Sequence, residues 1–184
     1  LEFRRVLFRS PATCGRDPKG VIVLHGGFDS FIEELYLYVR SFRAAGYTVI
    51  MFEGPGQGRP LQAGLKMTHE WEKPVAAVLD FFELEGVTLI GVSLGGYLAL
   101  RAAAYEPRIR HVVAWNVIWD ALRGFNRDKP ESFFDAIRNG ERDAVNAMAA
   151  AVREQDDAVD WMITHGMYIT GSETPFDHLS EFTR

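Results

Sequence analysis

The chain of 184 residues has few sulfur ligands and no long apolar runs. Its one cysteine, Cys14, excludes an internal disulfide and any metal site built from clustered cysteines. No apolar stretch approaches the roughly 20 residues that a membrane-spanning helix needs. There is no internal repeat and no low-complexity tract, which removes solenoids and repeat arrays from consideration. Positive charge is short as well. Twenty Lys and Arg against 25 Asp and Glu give a net charge of −5, which disfavours nucleic acid and anionic membrane as partners. What remains is the composition of an ordinary globular protein, 47% hydrophobic and 24% charged, long enough for one domain with a real core. A cytoplasmic location is the default for such a chain.

The first ten residues stand apart. Leu1–Ser10 back-translates into a string that resembles a short-read sequencing adapter read in frame. Residues 1–10 are therefore expected to be non-biological and are kept out of fold reasoning. Pro11 to Gly20 is polar and turn-rich, hence a loop.

Four apolar, β-branched runs follow: Val21–Leu24, Tyr47–Phe52, Val87–Val92 and Ile109–Trp115. They are too short for helices and are bounded by glycine or charge, so they read as strands, the first three of them buried. Between them lie helical patterns. The first spans Phe31–Ala45, with Phe31, Leu35, Val39 and Phe42 on one stripe, Ser30 and Glu33 as a capping box, and Gly46 as the stop. The second covers Thr68–Leu84, with Trp71, Val75, Val78, Leu79 and Phe82 on one face and Pro74 kinking it or opening its main part. The third runs from about Gly95 to Tyr105. A β-α-β-α-β-α-β order calls for a parallel sheet with right-handed crossovers and helices on both faces, a three-layer α/β/α sandwich. Ligands in such sheets bind at the carboxyl ends of the strands. His25, Glu53, Ser93 and the segment after Trp115 lie at those ends.

After residue 121 the texture changes. Residues 122–184 contain three charged helical stretches, about Glu131–Arg138, Asp143–Glu154 and Ala158–Gly166, and no further strand of comparable quality. That is the pattern of a helical lid or cap following a core at residues 11–121. A helical continuation of the core is the alternative.

The chemistry concentrates at Gly91-Val92-Ser93-Leu94-Gly95. This is the Gly-x-Ser-x-Gly nucleophile elbow, a sharp strand-to-helix turn that exposes a serine hydroxyl. Small residues two before and two after the serine let the strained turn close. The bare spacing would arise by chance about 0.06 times in a chain this long. The buried run before it and the helix start after it add most of the weight. The amide of Leu94 and the positive helix end face any oxyanion forming beside Ser93. At the end of the first strand, His25-Gly26-Gly27-Phe28 has the form of an oxyanion loop, with Gly27 and Phe28 as the candidate amide donors. Glu53-Gly54-Pro55-Gly56-Gln57-Gly58 is glycine-rich but is not a phosphate loop. The glycine spacing is wrong, Pro55 lacks an N–H, and no Lys-Ser/Thr pair follows.

Taken in order with these strands, His25-Gly-Gly27, Gly54-Pro-Gly-Gln-Gly58 and Gly91-Val-Ser93-Leu-Gly95 resemble the α/β-hydrolase superfamily. Phe52-Glu-Gly-Pro-Gly-Gln-Gly58, Ser93-Leu-Gly-Gly96 and Ala104-Tyr-Glu-Pro-Arg108 are similar to the branch holding dihydroxypseudooxynicotine hydrolase and the FrsA-like proteins. The likeness is good over residues 20–125 and weak beyond. It implies a serine, acid and histidine triad with Ser93 as nucleophile, the acid and histidine following on later strands. It also implies a further catalytic carboxylate near the oxyanion loop, at Glu33 or Glu34, which otherwise read as first-turn helix acids. Asp120 follows the fourth strand, where some lipases of this fold carry the triad acid, and equally suits helix capping or a lid hinge. The five histidines, His25, His69, His111, His165 and His178, do not fit the triad order. The expectation is that the acid and base lie beyond Arg184 and that this chain alone is inactive.

The expected reaction is hydrolysis of an ester, amide or carbon–carbon bond in a small molecule through an acyl-enzyme on Ser93. It requires no metal or organic cofactor. Phe28, Trp115 and Trp119 are candidates for an apolar substrate pocket, or else ordinary core aromatics. The alternative from another class is a non-catalytic binding or regulatory protein on the same fold.

Overall fold

The computed structural model describes residues 6–9, 18–116, 120–125 and 129–183, and of Val6–Arg9 and Phe125 the backbone only. The chain divides into two compact units. One comprises Leu1–Leu65 and Glu70–Trp119, the other Lys66–His69 and Asp120–Arg184.

The first unit is a five-stranded sheet in the order β1-β3-β2-β4-β5. The four expected strands are present as β2 (Val21–His25), β3 (Thr48–Phe52), β4 (Val87–Val92) and β5 (Ile109–Trp115), all mutually parallel. The register pairs Val23 with Ile50 on one side and Leu89 on the other. The backbone of β1 (Val6–Arg9) adds an antiparallel edge strand to β3. β3 is buried at every position, as a strand covered on both faces must be, whereas β5 alternates and ends partly exposed.

Alternation along the strands separates the two faces. Ile22, Leu24, Val49, Met51 and Ile90 point to one side and form a core cluster with Leu35 and Val39. On the other side Gly91 faces Gly95 and Ala99 of α4 (Leu94–Tyr105). α4 in turn contacts α3 (Glu72–Phe81), whose buried face is Val75, Val78 and Leu79. The expected three layers are therefore observed. Pro74 lies in the first turn of α3, where its missing N–H costs no helical hydrogen bond.

The stretch 31–45 differs from the sequence expectation. It opens as a 3-10 turn, Ile32–Leu35, and only then becomes α1 (Tyr36–Ala44). Phe31 is half exposed and lies off the apolar stripe, and Ser30 does not cap the helix because its hydroxyl is used elsewhere. The glycine-rich loop also ends in a short helix that periodicity did not show, α2 (Gly58–Gln62).

The second unit is helical: α5 (Ala121–Phe125), α6 (Glu131–Arg138), α7 (Arg142–Arg153), α8 (Asp157–Thr170) and α9 (Pro175–Glu181). α5 and α9 were not visible as apolar periodicity, being only five and seven residues long. Each is marked instead by its cap. Asp120 Oδ1 accepts from the Arg123 amide, and Thr174 Oγ1 from the Asp177 amide with Pro175 opening the helix. The unit's core is Leu122, Phe133, Phe134, Ile137 and Val145, with Phe176 and Leu179 against it. The strap Lys66–His69 joins this unit through Met67 N donating to Ile169 O at 2.8 Å, and through His69 beside Glu181 at 3.0 Å. Among the described residues no helix is long and apolar enough to cross a membrane.

Candidate active site

Ser93 sits between the last residue of β4 and the first of α4, with φ 60° and ψ −127°. A non-glycine residue at positive φ is strained, and such strain persists only where the surroundings over-determine it. Here the Ser93 amide donates to Trp115 O at 3.0 Å, and the Gly96 amide donates to Ser93 O at 2.9 Å. Although Ser93 occupies the cap position of α4, its side chain makes no capping hydrogen bond. A serine kept there for helix capping would make that bond.

The His25–Phe28 loop lies directly against this turn. A methyl group at Gly27 would fall 2.7 Å from the Leu94 amide nitrogen and 2.8 Å from that of Gly95. One at Gly95 would fall 2.4 Å from the Gly26 carbonyl oxygen. The two backbones approach so closely that only hydrogen fits between them. The sequence placed both Gly27 and Leu94 at the carboxyl edge of the sheet, and the structure brings them into contact.

Behind the loop is a buried polar network. The Gln57 amide nitrogen donates to both Gly26 O and Gly27 O, each at 2.9 Å, while Gln57 Oε1 accepts from the Gly54 amide at 2.9 Å. His25 is fully buried, with Nδ1 2.8 Å from Gly26 O and Nε2 3.3 Å from the indole nitrogen of Trp71. A carbonyl only accepts and an indole N–H only donates, so these partners place the proton on Nδ1 and use the lone pair of Nε2. Burial pushes the imidazole down to about 4 against the opposing effect of the Gly26 carbonyl, so His25 is neutral at physiological pH. With both nitrogens engaged it has no free site to take a proton from Ser93. Glu53, also buried, accepts from the Ile32 amide at 3.4 Å and the Arg59 amide at 3.0 Å, so it anchors the starts of the 3-10 turn and of α2. Gln57 and Glu53 were missed as site-shaping residues. Their signal was polar side chains inside a glycine-rich loop at the end of a buried strand.

The remaining candidates are scattered. The Gly27 amide donates to Ser30 Oγ at 3.3 Å. Phe28 is half-buried. Glu33 and Glu34 are exposed on the 3-10 turn. Trp115 is 43% exposed and packs on Tyr38 with ring centroids 4.7 Å apart. Asp120, in the helical unit, caps α5 and lies 3.7 Å from the Arg123 guanidinium. Trp119 falls outside the described residues. Of the other histidines, His111 is exposed near the amino end of β5, and His165 stacks on Trp161 in α8. His178 is buried in α9, where burial pushes it down to about 4 despite the Glu181 carboxylate. Among the described residues no cluster of His, Cys, Asp and Glu is arranged to hold a metal ion.

Comparison with known proteins gives this geometry a family. A 20-hydroxy-prefusarin hydrolase of Gibberella moniliformis is 36% identical over 173 residues, covering 86% of this chain and 41% of that protein. A hydrolase of Aspergillus aculeatus is 34% identical over 173 residues, covering 86% and 40%. The chain thus spans about two fifths of the length of these relatives. The crystal structure of a 2,6-dihydroxy-pseudo-oxynicotine hydrolase superposes with a TM-score of 0.62 at 20% identity, covering 93% of this chain and 41% of that one, a likeness of fold. The profile of the alpha/beta hydrolase family matches residues 21–180, and the chain belongs to that family.

Proposed function

We propose that Ser93 is the nucleophile of a hydrolase that cleaves a carbonyl substrate, an ester, amide or activated carbon–carbon bond, through an acyl-enzyme. The observation that carries this reading is the strained, non-capping Ser93 with the Gly27 backbone packed on the adjacent Leu94 amide. Attack of Ser93 Oγ on a carbonyl carbon forms an oxyanion within reach of the Leu94 N–H at the start of α4. The second donor comes from the loop. The Gly27 and Phe28 N–H groups are its two candidates, and the Gly27 N–H also donates to Ser30 Oγ. Water then releases the acyl group as the acid.

The Ser93 proton needs a base, and His25 cannot supply one because both its nitrogens are engaged. The reading therefore requires another histidine to reach Ser93 in the whole protein. The Gibberella moniliformis relative is named for a small organic substrate, which points to a small molecule here too.

The test compares hydrolysis of p-nitrophenyl esters by the product of the whole reading frame with that of its Ser93→Ala variant. The expected result is a loss of about 10³-fold or more, together with loss of fluorophosphonate labelling on the peptide carrying Ser93. Turnover that survives Ser93→Ala overturns the serine mechanism. Specific binding of small molecules without turnover would favour the non-catalytic alternative. For the 184-residue chain alone, the expected rate is that of its Ser93→Ala control.

A further inference from the structure

We infer that Gln57 is the positioning residue of the oxyanion loop: its one side-chain amide sets the peptide plane on which the Phe28 amide lies, and shares with His25 Nδ1 the hold on the plane of the Gly27 amide. The inference rests on the serine mechanism proposed above.

A trans peptide is planar, with its N–H pointing opposite to its C=O. Whatever holds a carbonyl therefore aims the next residue's amide. Gln57 donates both of its N–H bonds to consecutive carbonyls, Gly26 O and Gly27 O, at 2.9 Å each. The amides of Gly27 and Phe28 are thereby turned to the side away from Gln57. These glycines have no side chains to lock the loop, and a glycine backbone left alone would sample many conformations. Gln57 is itself fixed, because it is buried and its Oε1 accepts from Gly54. Its backbone also opens α2, which Glu53 anchors through the Arg59 amide. The same Glu53 carboxylate holds the Ile32 amide, on the far side of the loop. Residues Glu53–Arg59 thus grip the oxyanion loop at both ends, with Gln57 supplying the bonds nearest the reacting centre.

Glutamine suits this task better than its relatives. Two donors on one nitrogen and one acceptor are needed at one buried position. Glutamate has no donor when ionised, asparagine is one methylene shorter, and methionine offers neither donor. Because the oxyanion bears its charge only in the transition state, mis-aimed donors should lower kcat and leave KM nearly unchanged.

The experiment uses the product of the whole reading frame and measures ester hydrolysis by wild type, Ser93→Ala, Gln57→Met and Gln57→Glu, with kcat expressed per serine titrated by a fluorophosphonate. Gln57→Met is expected to lower kcat about 10- to 100-fold with KM within about threefold. Gln57→Glu regains one donor when protonated, so its kcat relative to wild type should rise as pH falls from about 8 to about 6. This variant keeps the shape and the bond to Gly54, and so reads the inference even if Gln57→Met does not fold. Either variant matching wild type within about twofold at every pH, or a loss of folded protein with kcat per titrated serine unchanged, overturns the role of Gln57 alone. A wild type no faster than Ser93→Ala removes the serine mechanism and this inference with it.

Discussion

The two units use polar side chains in opposite ways. In the sheet unit His25, Glu53 and Gln57 are buried and spend their hydrogen-bonding capacity on loop backbone at the carboxyl ends of β2 and β3. In the helical unit several charged side chains pair with one another at the surface, Arg123 with Glu131, Arg138 with Asp135 and Arg142 with Asp177. A buried polar group must be satisfied or it costs stability, so its partners dictate one geometry. An exposed pair is screened and contributes little, so it permits several. The sheet unit is therefore built to hold backbone atoms in place, which the proposed acyl transfer would require. The helical unit draws its order from apolar faces such as Phe133, Phe134 and Ile137.

The sharpest way to break this contrast is a single methyl group. Gly27→Ala in the sheet unit meets backbone nitrogen at 2.7 Å, where nothing flexible can yield, and should lower stability by about 3 kcal/mol or more. Gly140→Ala in the helical unit meets no atom within 4 Å and carries only the cost of φ +76°, about 1 kcal/mol. Urea denaturation of both variants measures the difference, and equal losses would sink the contrast.

Acid should affect both units in the same window, because each buries one neutral histidine. An unfolded histidine takes up a proton below about pH 6.5, whereas folded His25 and His178 do so only near 4. The unfolded state is therefore favoured progressively as pH falls from 6.5 to about 4, by about 3 kcal/mol for His25. The depressed carboxylates, Glu106 beside Arg108, Glu131 beside Arg123 and Asp177 beside Arg142, add losses only below their ordinary values of 4.5, 4.5 and 3.8. Hydrogen exchange followed from neutral pH to about pH 5 should show protection falling in β2 and α9 together. Flat protection in α9 would assign the acid sensitivity to the sheet unit alone.

A smaller effect sharpens the helical side. Asp156→Ala removes a cap that accepts from the Ala158 and Val159 amides, and should cost about 1 kcal/mol confined to α8. Smallest of all, Arg138→Gln should leave the thermal midpoint unchanged, because both pairs it breaks are exposed.

Legibility followed the same division. β2, β3 and β4 were readable because a strand buried on both faces is an unbroken apolar run, β5 from its apolar and β-branched residues although most of its positions are exposed, and Ser93 because strand, turn and helix start are consecutive in sequence. The short helices α2, α5 and α9 were not, since five to seven residues carry less than two turns of periodicity. Ser30 shows the limit clearly. Local grammar assigned it to a capping box, and the loop took its hydroxyl instead, for the Gly27 amide.

What the sequence determined by itself is the alternation of strands and helices, and with it the edge of the sheet where Ser93 stands. Those patterns are local, written in hydrophobic period and in glycine spacing. Only the tertiary structure decided that Gly27 touches the Leu94 amide, that the His25 ring meets the Trp71 indole, and that Gln57 donates to the Gly26 and Gly27 carbonyls. Each of these joins residues 30 or more positions apart or on different strands. Hydrogen bonds of that kind form only where the sheet register delivers the partners, and no local pattern encodes them.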